Sequence, residues 1–280
     1  MDPHFSAFSF VDRITAVQPG GPVQGSYFIP EDLDSFPAAL VAEAVGQLAA
    51  WSAMASMQFE RRPVAGIAGA IELLSAVRPG QTLELAAELE TSDTDAVAYG
   101  GTAHAGGVPV MRLHHCVGPM VTMSEFDDPR AVRERFLLLC GSGAKPGVFK
   151  GVPTLASTRM QGETGRLARA SLHVPASADL FADHFPRRPV FPGSLLMHSK
   201  LQLGAALAGE LPPPASGGKW TLRGLSDTKL RAFIAPGEIL EIEAKLDEVS
   251  ANSATVAMEA RKGKRVVGAA RVQLKPGNCK

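Results

Sequence analysis

The stretch Asp183-His184-Phe185-Pro186-Arg187-Arg188-Pro189-Val190-Phe191-Pro192-Gly193 sets one imidazole on a loop just ahead of a helix start. Prolines at 186, 189 and 192 block regular structure before Gly193. Beyond it, Leu195, Leu196, Leu201, Leu203, Ala206 and Leu207 recur at helical spacing. The first N–H groups of such a helix have no partner inside it, and they favour negative charge. A base (His184) beside an N–H that can hold an oxyanion (Gly193) is the equipment for taking a proton from the carbon next to a carbonyl.

A second candidate lies far away in sequence. From Pro37 to Phe59 the only charged residue is Glu43. Burying an unpaired carboxylate costs several kcal/mol, so Ala42, Ala44 and Val45 around it favour a site role over chance. Gln47 lies one helical turn on, on the same face, where it can orient Glu43. The run is long enough to span a membrane. Its Ala, Gly and Ser content and its glutamines point instead to a helix buried all round inside the fold, with no membrane insertion.

The elements that must position these residues read as follows. A short helix leading into a strand is expected in residues 3–14, then strands near 22–29, 67–77, 81–91, 95–105 and 108–120, and a central helix over 38–57. Leu83, Leu85, Ala87 and Leu89 alternate with Glu84, Glu88 and Glu90, as in a strand with one buried face. Residues 125–140 read as one charged amphipathic helix, and 141–151 have linker composition. The pattern then recurs. Pro236-Gly237 and its strand repeat Pro79-Gly80 and its strand 157 residues later, and Pro192 and Gln202 follow Pro37 and Gln47 by 155. A nearly constant offset implies two copies of one unit. Only seven residues separate Pro30 from Pro37, against seventeen from Pro175 to Pro192. The first copy therefore lacks the loop that carries His184.

Composition excludes several classes. The chain has 280 residues, 45% apolar, with 28 basic and 28 acidic side chains. That balance, without a basic run, argues against a nucleic-acid partner. Cys116, Cys140 and Cys279 form neither metal spacing nor a disulfide framework. The adjacent His114 and His115 are expected on opposite faces of a strand, with no metal site. A reducing, cytoplasmic setting is expected, since the first residues also lack the pattern of a signal peptide.

His184-Phe185-Pro186, Pro189 and Pro192-Gly193 ahead of an apolar helix resemble the signature of the 3-hydroxyacyl-acyl-carrier-protein dehydratases (FabZ- and FabA-like) of bacterial fatty-acid synthesis. Pro3, His4, Val11, Asp12 and Arg13 also match their usual start; local packing is the expected role of His4, Asp12 and Arg13. The resemblance implies an α+β fold, a tandem or double hotdog with two long central helices, each wrapped by a curved antiparallel sheet. The expected division is an N-terminal unit over 1–124, a connector over 125–151 and a C-terminal unit over 152–280. Two positions depart from the family pattern: Arg187 replaces a usual glycine, and His198 stands where the helix usually carries its acid. The first copy keeps that acid as Glu43, in a helix that fits the family pattern except for Ala38. In single-unit relatives the histidine and the acid come from different subunits. Here the same geometry pairs His184 with Glu43 across an intrachain pseudo-dimer, and His198 is expected to be structural.

The resemblance thus implies dehydration of 3-hydroxyacyl thioesters to trans-2-enoyl thioesters. His184, Glu43 and Gly193 would be catalytic, with Gln47, Phe185 and Pro192 around them. Arg187 and Arg188 read equally as solvated side chains or as contacts for a phosphopantetheine arm or an acidic acyl carrier protein. No metal or redox cofactor is expected. A hotdog acyl-thioesterase and a non-catalytic acyl-binding subunit are the alternatives, and the pseudo-dimer could associate further.

Overall fold

The computed structural model describes residues 4–277; Pro3 and Cys279 lie outside them. The first half runs β1 (Arg13–Val17), β2 (Val23–Phe28), α1 (Ala38–Ser56), β3 (Arg61–Pro63), β4 (Ile67–Leu73), β5 (Thr82–Ser92), β6 (Ala96–Ala105) and β7 (Val108–Thr122). A connector follows, with α2 (Met123–Phe126) and α3 (Pro129–Cys140). The second half runs β8 (Ala156–Glu163), β9 (Leu167–His173), a 3-10 turn (Asp179–Ala182), α4 (Gly193–Ala208), β10 (Lys219–Leu230), β11 (Ile239–Val249), β12 (Ala254–Lys262) and β13 (Arg265–Gly277).

The strands form one antiparallel sheet in the order β1-β2-β5-β6-β7-β4-β10-β13-β12-β11-β9-β8, with β3 paired to the end of β7. The two halves are joined by the β4–β10 ladder, where Ile71 opposes Leu225 and Ala68 opposes Thr228. The starts of α4, β11, β12 and β13 follow those of α1, β5, β6 and β7 by 155, 157, 158 and 157 residues. The spacing breaks at one place. Nine residues connect β2 to α1, and nineteen connect β9 to α4. The extra ten hold the 3-10 turn and His184.

The helix α1 meets the length and composition of a membrane span, yet the sheet wraps it. Leu40, Val41, Ala44, Val45, Leu48, Ala49 and Ala53 are all at 1% exposure or less. A helix apolar all round is stable only when enclosed in this way.

Four expectations fail for local reasons. The N-terminal helix is absent. Residues 4–8 form turns, and their N–H groups are taken by a carboxylate from the second half instead of by an i−4 ladder. The single helix over 125–140 is two, because Pro129 disfavours helix at Asp128, which caps α3 by accepting from the Arg130 and Ala131 N–H groups. Strand β4 ends at Leu73, since Leu74 and Ser75 both donate to the Val110 carbonyl and the ladder cannot continue. His114 and His115 do not straddle the sheet. A bulge at His115 (φ 51°) keeps Leu113 and Cys116 both buried, leaving His114 bonded to Glu72 at 2.7 Å and His115 exposed. The glycine-rich stretch 141–151 is pinned by Phe149, which is buried against Phe10 and Phe36.

One buried charge works against this core. Lys200 on α4 is 1% exposed, and its Nζ has no hydrogen-bond partner among the described residues. Burial lowers its pKa to about 8, only partly opposed by the charge of Glu259. The unfolded chain therefore binds the proton more tightly, and stability should rise with pH from about 8 to the unfolded Lys value of ~10.4. Lys200→Met should raise the denaturation midpoint at pH 7, by up to about 3 kcal/mol for a shift of this size. The advantage should shrink as the pH of the titration is raised through that window.

Candidate active site

The loop between β9 and α4 is rigid for reasons visible in its bonds. His184 donates from Nδ1 to the Val190 carbonyl at 2.8 Å, and the Val190 N–H returns to the His184 carbonyl at 2.9 Å. This reciprocal pair closes the loop around Pro186 and Pro189. With the proton on Nδ1, the Nε2 lone pair is the one available to accept a proton. Burial holds the imidazole below its usual pKa, with Glu43 pulling it up and Arg62 pushing it down. The side chain is thus a neutral base at pH 7.

Phe185 is buried and stacks on His184, ring centres 4.1 Å apart. The Arg62 guanidinium, from β3, lies 3.8 Å from the centre of the same ring. Burial pushes the Arg62 pKa down to about 10, against the pull of Asp127, 3.4 Å away. His4 also meets Asp127, at 3.4 Å.

Asp183, directly before His184, faces the other way. Its carboxylate accepts from the N–H groups of Phe5, Ala7 (2.9 Å) and Phe8 (2.6 Å), and from the Ser9 hydroxyl. Phe8 then sets its ring edge-on to His184 at 5.7 Å. The same segment is held from the opposite side by Gln47, which accepts from the Phe10 N–H at 2.8 Å and donates to the Phe8 carbonyl at 3.1 Å. Gln47 also donates to Glu43 at 3.0 Å. One glutamine therefore fixes both the Glu43 carboxylate and the chain that covers it.

Glu43, Gln47, His184, Phe185 and Gly193 line a single cavity of about 270 Å³ that lies between α1, α4 and the β4–β10 seam. His184 and Glu43 reach it from different halves. Pro192 is the N-terminal cap of α4, so the Gly193 N–H is among the first of that helix. Any side chain at 193 would strike Leu230. Gly46 has a related role: a methyl there would come within 3.1 Å of the Tyr99 hydroxyl, which sits beside Glu43 and bonds to Cys116. Burial raises the pKa of both Tyr99 and Cys116, the latter to about 11.

Arg187 and Arg188 stand apart from the cavity lining. Arg187 donates to the Ser124 carbonyl and to Asp128, each at 3.0 Å. Arg188 lies over the Phe126 and Phe233 rings and near Glu125. Both tie the loop to α2 and the connector. His198 is half-buried and Gln202 exposed, and neither lines the cavity. No cluster of metal-binding side chains occurs among the described residues. Sequence reasoning missed Arg62, Asp127, Asp183, Tyr99 and Cys116. Only Asp183 carried a usable signal, its position next to His184.

Parts of the chain are similar to known proteins. Residues 159–269 match the family model of the ApeI-like dehydratases. The chain is 32% identical over 80 residues to the 3-hydroxyacyl-acyl-carrier-protein dehydratase FabZ of Rickettsia typhi, covering 29% of this chain and 55% of that protein. It is 33% identical over 88 residues to FabZ of Ligilactobacillus salivarius, covering 31% and 62%. The chain thus spans a little over half the length of the curated relatives it matches. Among solved structures, a Lactobacillus plantarum protein assigned as an oleoyl thioesterase superposes with a TM-score of 0.61 at 10% identity, over 92% of this chain and 98% of that one. A hot dog protein of Alicyclobacillus acidocaldarius does so with 0.54 at 9%, over 98% of each. At such identities the structural likeness shows the hotdog fold alone, and over part of its length the chain is similar in sequence to the FabZ dehydratases.

The Asp183 carboxylate makes a local prediction. Hydrogen bonds to a charged acceptor contribute roughly 1.5–3 kcal/mol each. Asp183→Ala should release residues 5–9, read as faster amide exchange there while β6 and β7 stay protected. Asp183→Asn should give an intermediate rate.

Proposed function

We propose that this relative of the FabZ-like dehydratases converts 3-hydroxyacyl thioesters to trans-2-enoyl thioesters. It would do so as a tandem of two hotdog units (1–124 and 152–280, joined by 125–151) with one working site. The observation that carries the reading is that His184, its Nδ1 held by the Val190 carbonyl, and Glu43 line one cavity from the two halves. His184 takes the proton from the carbon beside the thioester carbonyl. The Gly193 N–H holds the developing enolate oxygen, a contact whose loss typically costs ~10²–10³ in rate. Glu43, oriented by Gln47, donates a proton to the 3-hydroxyl as the C–O bond breaks and the C2–C3 double bond forms. Water leaves, and transfer of the proton from His184 to Glu43 resets the pair. The step calls for no cofactor, because the pantetheine arm belongs to the substrate. An acyl carrier protein or coenzyme A would supply that arm.

The acyl chain would run along the cross-sheet rows of the cavity. The first row is Tyr99, Cys116, Ala68 and Thr228; the next is Leu113, Ile71 and Leu225; the last is Met111 with Leu73. Five residues of β7 separate the first row from the last, or ~16 Å at ~3.3 Å per residue. Extended chain advances ~1.2 Å per bond, so this depth suits tails of roughly a dozen carbons.

The test is turnover of a 3-hydroxyacyl thioester panel by the full chain. His184→Ala and Glu43→Gln should each lower dehydration by several orders of magnitude, with the double variant no worse than the singles. His198→Ala should retain most activity. The rate should fall on the acid side at a pH below 6.5, where the lowered His184 pKa is crossed. Met111→Trp should depress kcat/KM for twelve-carbon substrates far more than for four-carbon ones. Thioester hydrolysis that survives loss of His184, with no enoyl product, would replace this reading with a thioesterase.

A further inference from the structure

We propose that Arg62 is a positioning residue for His184, acting through the Phe185 ring. The imidazole centre is 4.1 Å from the Phe185 centre at an interplanar angle of 23°, and the Arg62 Cζ is 3.8 Å from that same centre. Two planar groups at such distances cannot share one face of a ring. Arg62 and His184 therefore sandwich Phe185, cation on one side and base on the other. Cation–π attraction holds Arg62 on the ring. Stacking of Phe185 holds the imidazole in the plane that its bond to the Val190 carbonyl requires.

The same stack sets the electrostatics. Of the charges around His184, Glu43 faces it from α1 and favours imidazolium. Arg62, from β3, opposes it. Asp127, on the connector, partly offsets Arg62, and His4 sits behind Asp127. Asp183 is turned to the backbone of residues 5–8, with Arg135 behind it. Tyr99 faces Glu43. The guanidinium carbon thus stands no more than about 8 Å from the imidazole centre, the limit set by the two stacking distances of 3.8 and 4.1 Å. A unit charge at that range through partly screened protein shifts a titration by on the order of one pH unit. Arg62 keeps His184 unprotonated where Glu43 alone would charge it. It also makes the imidazolium formed during turnover readier to give its proton up. Arg62 touches no reacting atom in this scheme, and its contact with Asp127 leaves the guanidinium in place.

The test is NMR titration of His184 in the full chain, assigned by loss of its signal in His184→Ala. Arg62→Met should raise the His184 midpoint by about one unit, and Arg62→Lys should stay near wild type. Asp127→Asn, which unmasks Arg62, should lower the midpoint, and it serves the purpose if Arg62→Met fails to fold. An unchanged midpoint in folded Arg62→Met, or in Asp127→Asn where only that variant folds, would overturn the proposal. The kinetic arm rests on the dehydratase reading: the acid limb of the rate profile should move up by the same amount in Arg62→Met. A wild type that dehydrates nothing would remove the function and leave the titration result standing, so the two failures are distinguishable.

Discussion

The antiparallel pairing of β4 with β10 is the constraint on which everything else rests. By running one sheet through both halves it brings α1 and α4 to a common seam, and that seam is the floor of the cavity. Neither half could build this site alone. The first supplies a carboxylate and its glutamine on a buried helix; the second supplies the imidazole and the helix start. The ladder sets their relation, because a one-residue slip would turn Ile71 and Leu225 away from the core.

Polar contacts then lock what the ladder aligns. Asp183 and Gln47 grip the same short segment from opposite halves, and Arg62 reaches from the first half to a ring of the second. Asp183 is buried and Gln47 and Arg62 are partly so, and each has a polar partner. Burial raises the Asp183 and Asp127 pKa values while hydrogen bonds pull them back. The site is thus surrounded by charges that would be costly to bury singly and are held in pairs.

Much of this was legible in the sequence, for physical reasons. Leu83 to Leu89 alternate because one face of β5 is buried, and the prolines before Gly193 leave His184 no element but a loop. The constant offset between halves is a direct copy of repeated packing. What could not be read was contact between distant residues of ordinary type. Nothing in Arg61-Arg62-Pro63 announces that the second arginine lies on Phe185. Nothing in Phe5 to Ser9 announces that its N–H groups meet a carboxylate 175 or more residues away. The helix expected there failed because a tertiary acceptor outcompeted the local one. The broken connector helix and the bulge at His115 were local, yet each turned on a single residue, Pro129 or His115, that pattern counting averages away.

The strap over residues 5–10 also imposes an order on biosynthesis. Its acceptor Asp183 lies 175 residues beyond Phe8, so translation makes the strap well before the carboxylate that holds it. Until then its N–H groups lack that acceptor, although the Phe5 ring already has Trp51 and the Phe8 ring has Phe10 beside it. Long-range closure of this kind is slow relative to local helix and hairpin formation. Until the second half is made, the apolar residues of the first half that line one side of the cavity stay uncovered, a surface of the sort that chaperones recognise. The strap closes only when these two distant segments meet.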